Sequence, residues 1–162
     1  MGKIIVIEGY LASGKSTFAL NLSKAINVPY FVKDTFKIAL CKSIPVTNPE
    51  EGSRFSAVTF DAIMYVAQRF METGYPLIIE GNFVPACVKK VDEAGEIKKA
   101  INKFAYQSLT YKFMGDTRVL YNRYIERNKS AERGDANRDF EEPSFETYNN
   151  CCRNLDGFIR RF

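Results

Sequence analysis

Hydrophobic positions switch repeatedly between two periods along the chain, and the switches predict strands alternating with helices. Ile4-Ile5-Val6-Ile7 is a β-branched run that reads as a buried strand, and Phe18, Leu22 and Ala25 then recur at helical spacing. Asn27-Val28-Pro29 breaks that period, Tyr30-Phe31-Val32 forms a short second strand ending at Lys33-Asp34, and a helix follows through Phe36 to Leu40. Pro45 to Gly52 is polar, with Pro49 and Gly52 as breakers, and reads as a loop. Phe60, Ile63, Met64, Ala67, Phe70 and Met71 form a helical stripe stopped by Gly74-Tyr75-Pro76, after which Leu77-Ile78-Ile79 is a third strand ending in Glu80-Gly81-Asn82-Phe83. Ile97, Ile101, Phe104 and Ala105 mark another helix, and Ser108 to Phe113 alternates as a fourth strand before Gly115. Asp116 is the N-cap candidate for a helix carrying Val119, Leu120 and Tyr124. Lys129 to Asp139 is charged and weakly apolar, the composition of an exposed segment, and Phe145, Tyr148, Cys152, Leu155 and Ile159 suit a last helix after Pro143-Ser144. This alternation predicts an α/β fold: a parallel sheet of about four to five strands covered by helices on both faces, with ligands at the carboxyl ends of the strands.

The residues between the first strand and the first helix narrow the chemistry. Gly9-Tyr10-Leu11-Ala12-Ser13-Gly14-Lys15-Ser16 fit the phosphate-loop pattern, with strand, loop and helix in the order that motif needs. Gly9 and Gly14 remove side chains where the backbone must curl around phosphate, so that successive N–H groups, through Ala12, Ser13 and on to Thr17, converge on an anion at a helix N-terminus. Lys15 can reach the outer phosphates, and the Ser16 hydroxyl can ligate Mg²⁺. The motif therefore implies a nucleoside triphosphate, with ATP and Mg²⁺ as the expected pair.

Composition sets limits on what else the chain does. With 162 residues there is room for one good core, so a single domain is expected. The 46% hydrophobic and 26% charged fractions are those of an ordinary globular protein. A net charge of +4 is modest, and an anionic ligand already accounts for local basicity, so nucleic acid is not required. His is absent, which removes any His base or His metal ligand and leaves carboxylates for acid/base work. Cys41, Cys87, Cys151 and Cys152 show no zinc-like spacing and read as reduced, mostly buried thiols. The apolar stretch at the N-terminus stops at Glu8, too short for a membrane span or a signal peptide, so a cytoplasmic location is expected.

Carboxylates and arginines then suggest the reaction. Phosphoryl transfer to an alcohol needs a group to orient and deprotonate the acceptor and cations to stabilise the transferred charge. Asp34, at the end of the second strand, is the leading base candidate; its bland alternative is a cap on the following helix. Glu80 ends a strand expected beside the first and can hold a Mg²⁺-bound water or bind substrate, while Glu8 can orient Lys15. Lys37, Asn82 and Phe83 complete an expected acceptor site with Asp34 and Glu80. Arg123 and Arg127 share a helix face, and Arg133 and Arg138 follow in the charged segment, where guanidinium groups can close over ATP as a lid spanning about residues 127–139. Arg127 and Arg133 are the catalytic candidates among them, and Arg123 and Arg127 the nucleotide contacts.

Gly9 to Thr17, Val32-Lys33-Asp34-Thr35-Phe36-Lys37, Ile78-Ile79-Glu80-Gly81-Asn82-Phe83 and Arg123 to Arg133 together resemble small P-loop kinases of the nucleoside-monophosphate-kinase-like group, with AAA-family ATPase, zeta-toxin and chloramphenicol-phosphotransferase relatives. The resemblance implies a P-loop NTPase-type three-layer sandwich, an acceptor-binding and base position in the second block, and a lid in the arginine-rich stretch. Members commonly finish with a fifth strand and often carry a His in the lid; this chain has Gly134-Asp135-Ala136-Asn137 there and no β-rich tail. The implied activity is ATP- and Mg²⁺-dependent transfer of the γ-phosphate to a hydroxyl of a small molecule. Alternatives are a polynucleotide 5′-hydroxyl kinase, a deoxynucleoside kinase with Phe31, Phe36, Phe55 and Phe83 stacking on a base, and a non-catalytic ATP-binding module. A GTPase switch is a further alternative: Asp92-Glu93-Ala94-Gly95 matches its Asp-x-x-Gly element, but no buried strand precedes it. Acceptor and oligomeric state are not specified by these residues.

Overall fold

The computed structural model describes residues 2–83, 92–130, 133, 137, 139 and 141–156. Its elements run β1 (Lys3–Gly9), α1 (Lys15–Ile26), β2 (Tyr30–Val32), α2 (Lys33–Leu40), α3 (Pro49–Glu72), β3 (Leu77–Glu80), α4 (Glu93–Lys103), β4 (Gln107–Phe113), α5 (Thr117–Lys129) and α6 (Phe145–Asp156). The strands form one parallel sheet in the order β2-β3-β1-β4. The fold is therefore α/β, as the alternating periods predict.

Alternation along β1 divides the core into two layers. Ile4 and Val6 join Leu77 and Ile79 against Phe60, Ile63, Met64 and Ala67 of α3 and Ile97 and Ile101 of α4. Ile7 and Ile78 point to the other layer, where Ala19, Phe18 and Leu22 of α1 cover them. Ala25, expected on that apolar stripe, is exposed, and Ala19 takes the fully buried place. A third cluster of Tyr10, Leu120, Tyr124, Ile125, Tyr148 and Cys152 joins α5 and α6 to the turn after β1.

Three expectations are corrected. Pro49 and Gly52 do not break the chain: α3 starts at Pro49, the Asn48 side chain accepts from Glu51 N, and Gly52 lies inside the helix. Proline at a first helical position gives up an N–H that has no intrahelical partner anyway, and the Glu51 carboxylate reaches back to Thr47 N at 2.8 Å, so the segment is a helix start. Phe104 and Ala105 lie beyond α4, with Ala105 left-handed at φ 54°. Of the described cysteines, all free, only Cys152 is buried; Cys41 is half-buried, and Cys151, one residue round the helix from Cys152, is exposed. Cys87 and Ile159 lie outside the described residues.

Backbone crowding at Gly9 fixes the exit from β1. Gly9 has φ 131°, and a Cβ there would sit 2.1 Å from the Phe113 carbonyl oxygen, which itself accepts from Tyr10 N at 2.8 Å. Gly9→Ala is expected to destabilise the fold by about 3 kcal/mol or more, through strain and loss of the β1–β4 closure. Urea unfolding measures it, and a loss under about 0.5 kcal/mol would contradict the account.

Candidate active site

The carboxyl ends of β1, β2 and β3 open on one cleft of about 250 Å³. The loop supplies Ala12, Ser13, Gly14, Lys15, Ser16 and Thr17; Lys33, Asp34, Glu80, Asn82 and Arg127 also line it. Two left-handed residues, Ala12 at φ 59° and Gly14 at φ 90°, turn the backbone so that α1 begins with its N-terminus at the cleft. Unpaired N–H groups and the helix dipole there favour an anion.

Lys15 is buried, and its ammonium donates to the carbonyls of Gly9 at 3.1 Å and Tyr10 at 2.7 Å. Burial holds its pKa below the usual lysine value, opposed by the charges of Glu80 and Asp34. The Ser16 hydroxyl donates to Glu80 Oε2 at 2.9 Å. Burial raises the Glu80 pKa, with Lys15 and the Ser16 hydrogen bond opposing. Asn82 caps the strand end differently, its Oδ1 accepting from Gly9 N at 3.2 Å.

Asp34 lies in the first turn of α2, whose N-cap is Val32, so it does not cap the helix. Its Oδ2 accepts from Arg133 at 3.2 Å, and its backbone carbonyl accepts from Asn137 Nδ2 at 2.8 Å. Arg133 is buried, lies over the Tyr124 ring at 5.6 Å, and its Nε has no hydrogen-bond partner among the described residues. The charged segment thus reaches the end of β2, across nearly a hundred residues of sequence.

Other expected residues lie elsewhere. Arg123 is exposed and is not among the residues lining the cleft, whereas Arg127, one turn later, is. Phe83 is buried in the core against Phe60, their ring centroids 6.2 Å apart. Lys37 points its ammonium toward α3, 3.9 Å from where a Cβ on Gly52 would stand. Arg138 is outside the described residues, and Asp92 serves as the cap of α4, accepting from Gly95 N at 2.9 Å rather than forming a nucleotide-sensing element.

Sequence reasoning missed Lys33, Ser56 and Gly81, all of which line the cleft. Lys33 forms a 2.6 Å ion pair with Glu93, both buried, and its ammonium lies 5.7 Å from the Phe60 and Phe83 ring centroids. A lysine directly after a strand that ends at the cleft was a usable signal; Glu93, remote in sequence, offered none. Ser56 arrives because α3 begins earlier than its apolar stripe suggests.

Known structures share this arrangement of elements. A candidate kinase from Chloroflexus aurantiacus is similar with a TM-score of 0.79 at 19% identity, covering 96% of this chain and 76% of that one. The APS kinase CysC of Mycobacterium tuberculosis, in complex with AMPPNP and APS, is similar with a TM-score of 0.56 at 12% identity, covering 96% and 98%. The chain shares its α/β fold, a parallel sheet flanked by helices, with these two proteins. A chain of the Pnkp1/Rnl/Hen1 RNA repair complex is similar with a TM-score of 0.66 at 14% identity, and this chain spans 46% of its length. No family model and no curated protein matches the sequence.

Glu8, the residue before the loop, is 5% exposed with Oε1 lacking a hydrogen-bond partner among the described residues. Burial lifts its pKa from 4.5 to about 7, against the opposing charges of Lys112 and Lys15. The folded state therefore binds this proton more tightly than the unfolded chain, and Glu8 makes stability fall as pH rises from 4.5 to about 7. Its contribution across that window is on the order of 3 kcal/mol. Glu8→Gln is expected to flatten this slope in denaturant unfolding against pH; a slope equal to wild type would remove Glu8 as its source.

Proposed function

We propose that this chain is an ATP- and Mg²⁺-dependent phosphotransferase that moves the γ-phosphoryl group of ATP to a hydroxyl of a small molecule. The observation that carries the reading is the meeting of Lys15, the Ser16–Glu80 pair and Asp34 in one cleft at a helix N-terminus. The first two suit the phosphates of a donor, and the third suits an acceptor proton. The same reading puts the enzyme in the cytoplasm, where ATP is plentiful.

Mg²⁺ fits the residues present. Ser16 and Glu80 offer adjacent oxygens, and no group of three or more His, Cys, Asp or Glu among the described residues forms a complete cage. Mg²⁺ bound with nucleotide needs only one or two protein ligands beside phosphates and waters. When bound, it neutralises charge on the phosphate oxygens.

The chain's own residues divide the remaining work. Loop N–H groups and Lys15 hold the phosphates, Lys15 leaving the Gly9 and Tyr10 carbonyls to do so. Asp34 orients the acceptor and takes its proton as the acceptor oxygen bonds to the γ-phosphorus and the bond from that phosphorus to the ADP oxygen breaks. Arg127 and Arg133 face the developing charge from the α5 side and exclude water over the cleft. Asn82, which lines the cleft, shapes the acceptor side.

A second reading, in which the acceptor is the 5′-hydroxyl of a polynucleotide, is favoured by the likeness to a chain of the RNA repair complex. Salt dependence distinguishes them: an acceptor held by several phosphate contacts loses affinity steeply as salt rises, and a small neutral hydroxyl compound does not.

The test is a screen of hydroxyl compounds and 5′-hydroxyl oligonucleotides for stimulated ADP release. With the acceptor so found, Lys15→Ala is expected to lower turnover by about a hundredfold or more while leaving the fold intact. Wild-type activity in that variant would sink the assignment. Asp34→Asn is expected to lower kcat by about a hundredfold with ATP affinity nearly unchanged, and an unchanged kcat would remove Asp34 as the base.

A further inference from the structure

The first half of the phosphate loop is gripped from behind by residues that no phosphate would touch. Tyr10 is the hub of this grip. Its N–H donates to Phe113 O at 2.8 Å, and its carbonyl accepts from Lys15 at 2.7 Å and from the Ser13 hydroxyl at 2.6 Å. Any shift of Tyr10 therefore displaces both a loop hydroxyl and the ammonium expected to bind phosphate. The Tyr10 side chain is 6% exposed, and its hydroxyl donates to Asp156 Oδ2 at 2.6 Å. Asp156 Oδ1 in turn accepts from Lys112 of β4 at 2.9 Å. One residue further along the loop, Leu11 O accepts from the Tyr148 hydroxyl at 2.7 Å.

The two partners of Asp156 lie on the loop and on the strand beside it, not on α6. No described residue of α6 lines the cleft, and its hydrogen bonds to the loop run through Tyr10 and Leu11.

We infer that Asp156 is a positioning residue for the nucleotide: by holding the Tyr10 hydroxyl between α6 and the Lys112 ammonium, it keeps the phosphate loop in its binding shape before ATP arrives. Tyr148 supports the next residue in the same way. A pre-shaped loop binds more tightly because less freedom is lost on binding. The inference rests on the ATP reading and is tested separately from it, by binding rather than by turnover.

The experiment is calorimetric titration of the full chain with Mg·ATP, for wild type, Tyr10→Phe, Asp156→Ala, the double variant and Asp156→Asn, with thermal unfolding of each. Tyr10→Phe and Asp156→Ala are each expected to weaken ATP binding about three- to tenfold, the worth of one charge-assisted hydrogen bond at a part-exposed site. The double variant should bind no more weakly than Asp156→Ala, because both changes remove one shared bond. Asp156→Asn keeps an acceptor for the tyrosine and should recover most of the affinity. A purely structural role would lower the unfolding temperature and leave the affinity of the folded protein unchanged. Binding within about twofold of wild type in Tyr10→Phe and Asp156→Ala, or losses that multiply in the double variant, overturns the inference. A wild type that does not bind Mg·ATP overturns the ATP reading and this inference with it.

Discussion

The pairing register of β3 against β1 is the constraint on which the cleft depends. Ile7 stands opposite Glu80, and Gly81 N donates to Ile7 O at 3.0 Å, so the third strand ends level with the start of the phosphate loop. That places Glu80 on the α1 side of the sheet, within hydrogen-bond reach of Ser16, and leaves Asn82 to hold the Gly9 amide. A slip of one residue would turn Glu80 toward the α3 and α4 layer and carry Ile79 to the cleft. The register is held because Leu77 and Ile79 are fully buried in one layer and Ile78 in the other. Core packing and site geometry are thus one requirement.

The chain keeps an unusual set of ionisable side chains out of water: Glu8, Lys15, Lys33, Glu80, Glu93 and Arg133 are all buried. Burying charge is costly unless it is paired, and the pairs seen here repay the cost unevenly. Lys33, which lines the cleft, pairs with Glu93, while Lys15 leans on backbone carbonyls and Glu8 keeps an oxygen without a hydrogen-bond partner among the described residues. Such an arrangement sacrifices stability for a polar cleft whose groups are preorganised in a low-dielectric setting. Around it, β4 and α6 hold the loop from behind, and Arg133 and Asn137 hold the end of β2 from above.

Much of this was legible in the residues because it is local. The period of the apolar positions located the strands and helices, Asp116 was recognisable as a cap, and the phosphate loop is contiguous. The early start of α3 was obscured because polar residues and proline at a helix start look like a loop until the capping contacts are seen. Phe83 and Lys37 were read toward the acceptor because they neighbour the right residues, but a side chain's direction after a strand end depends on what it packs against, here Phe60 and the α3 surface.

The sequence by itself determined the order of elements, the parallel α/β class and the contiguous Gly9–Ser16 loop, since each arises from interactions among residues close in the chain. Tertiary structure alone decided that Glu80 meets Ser16, that Arg133 reaches Asp34, that Lys33 finds Glu93 and that Asp156 holds Tyr10. Those partners lie 60 or more residues apart, a separation at which side-chain identity carries no directional information. Only the register of the sheet and the packing of helices on it convert such residues into neighbours.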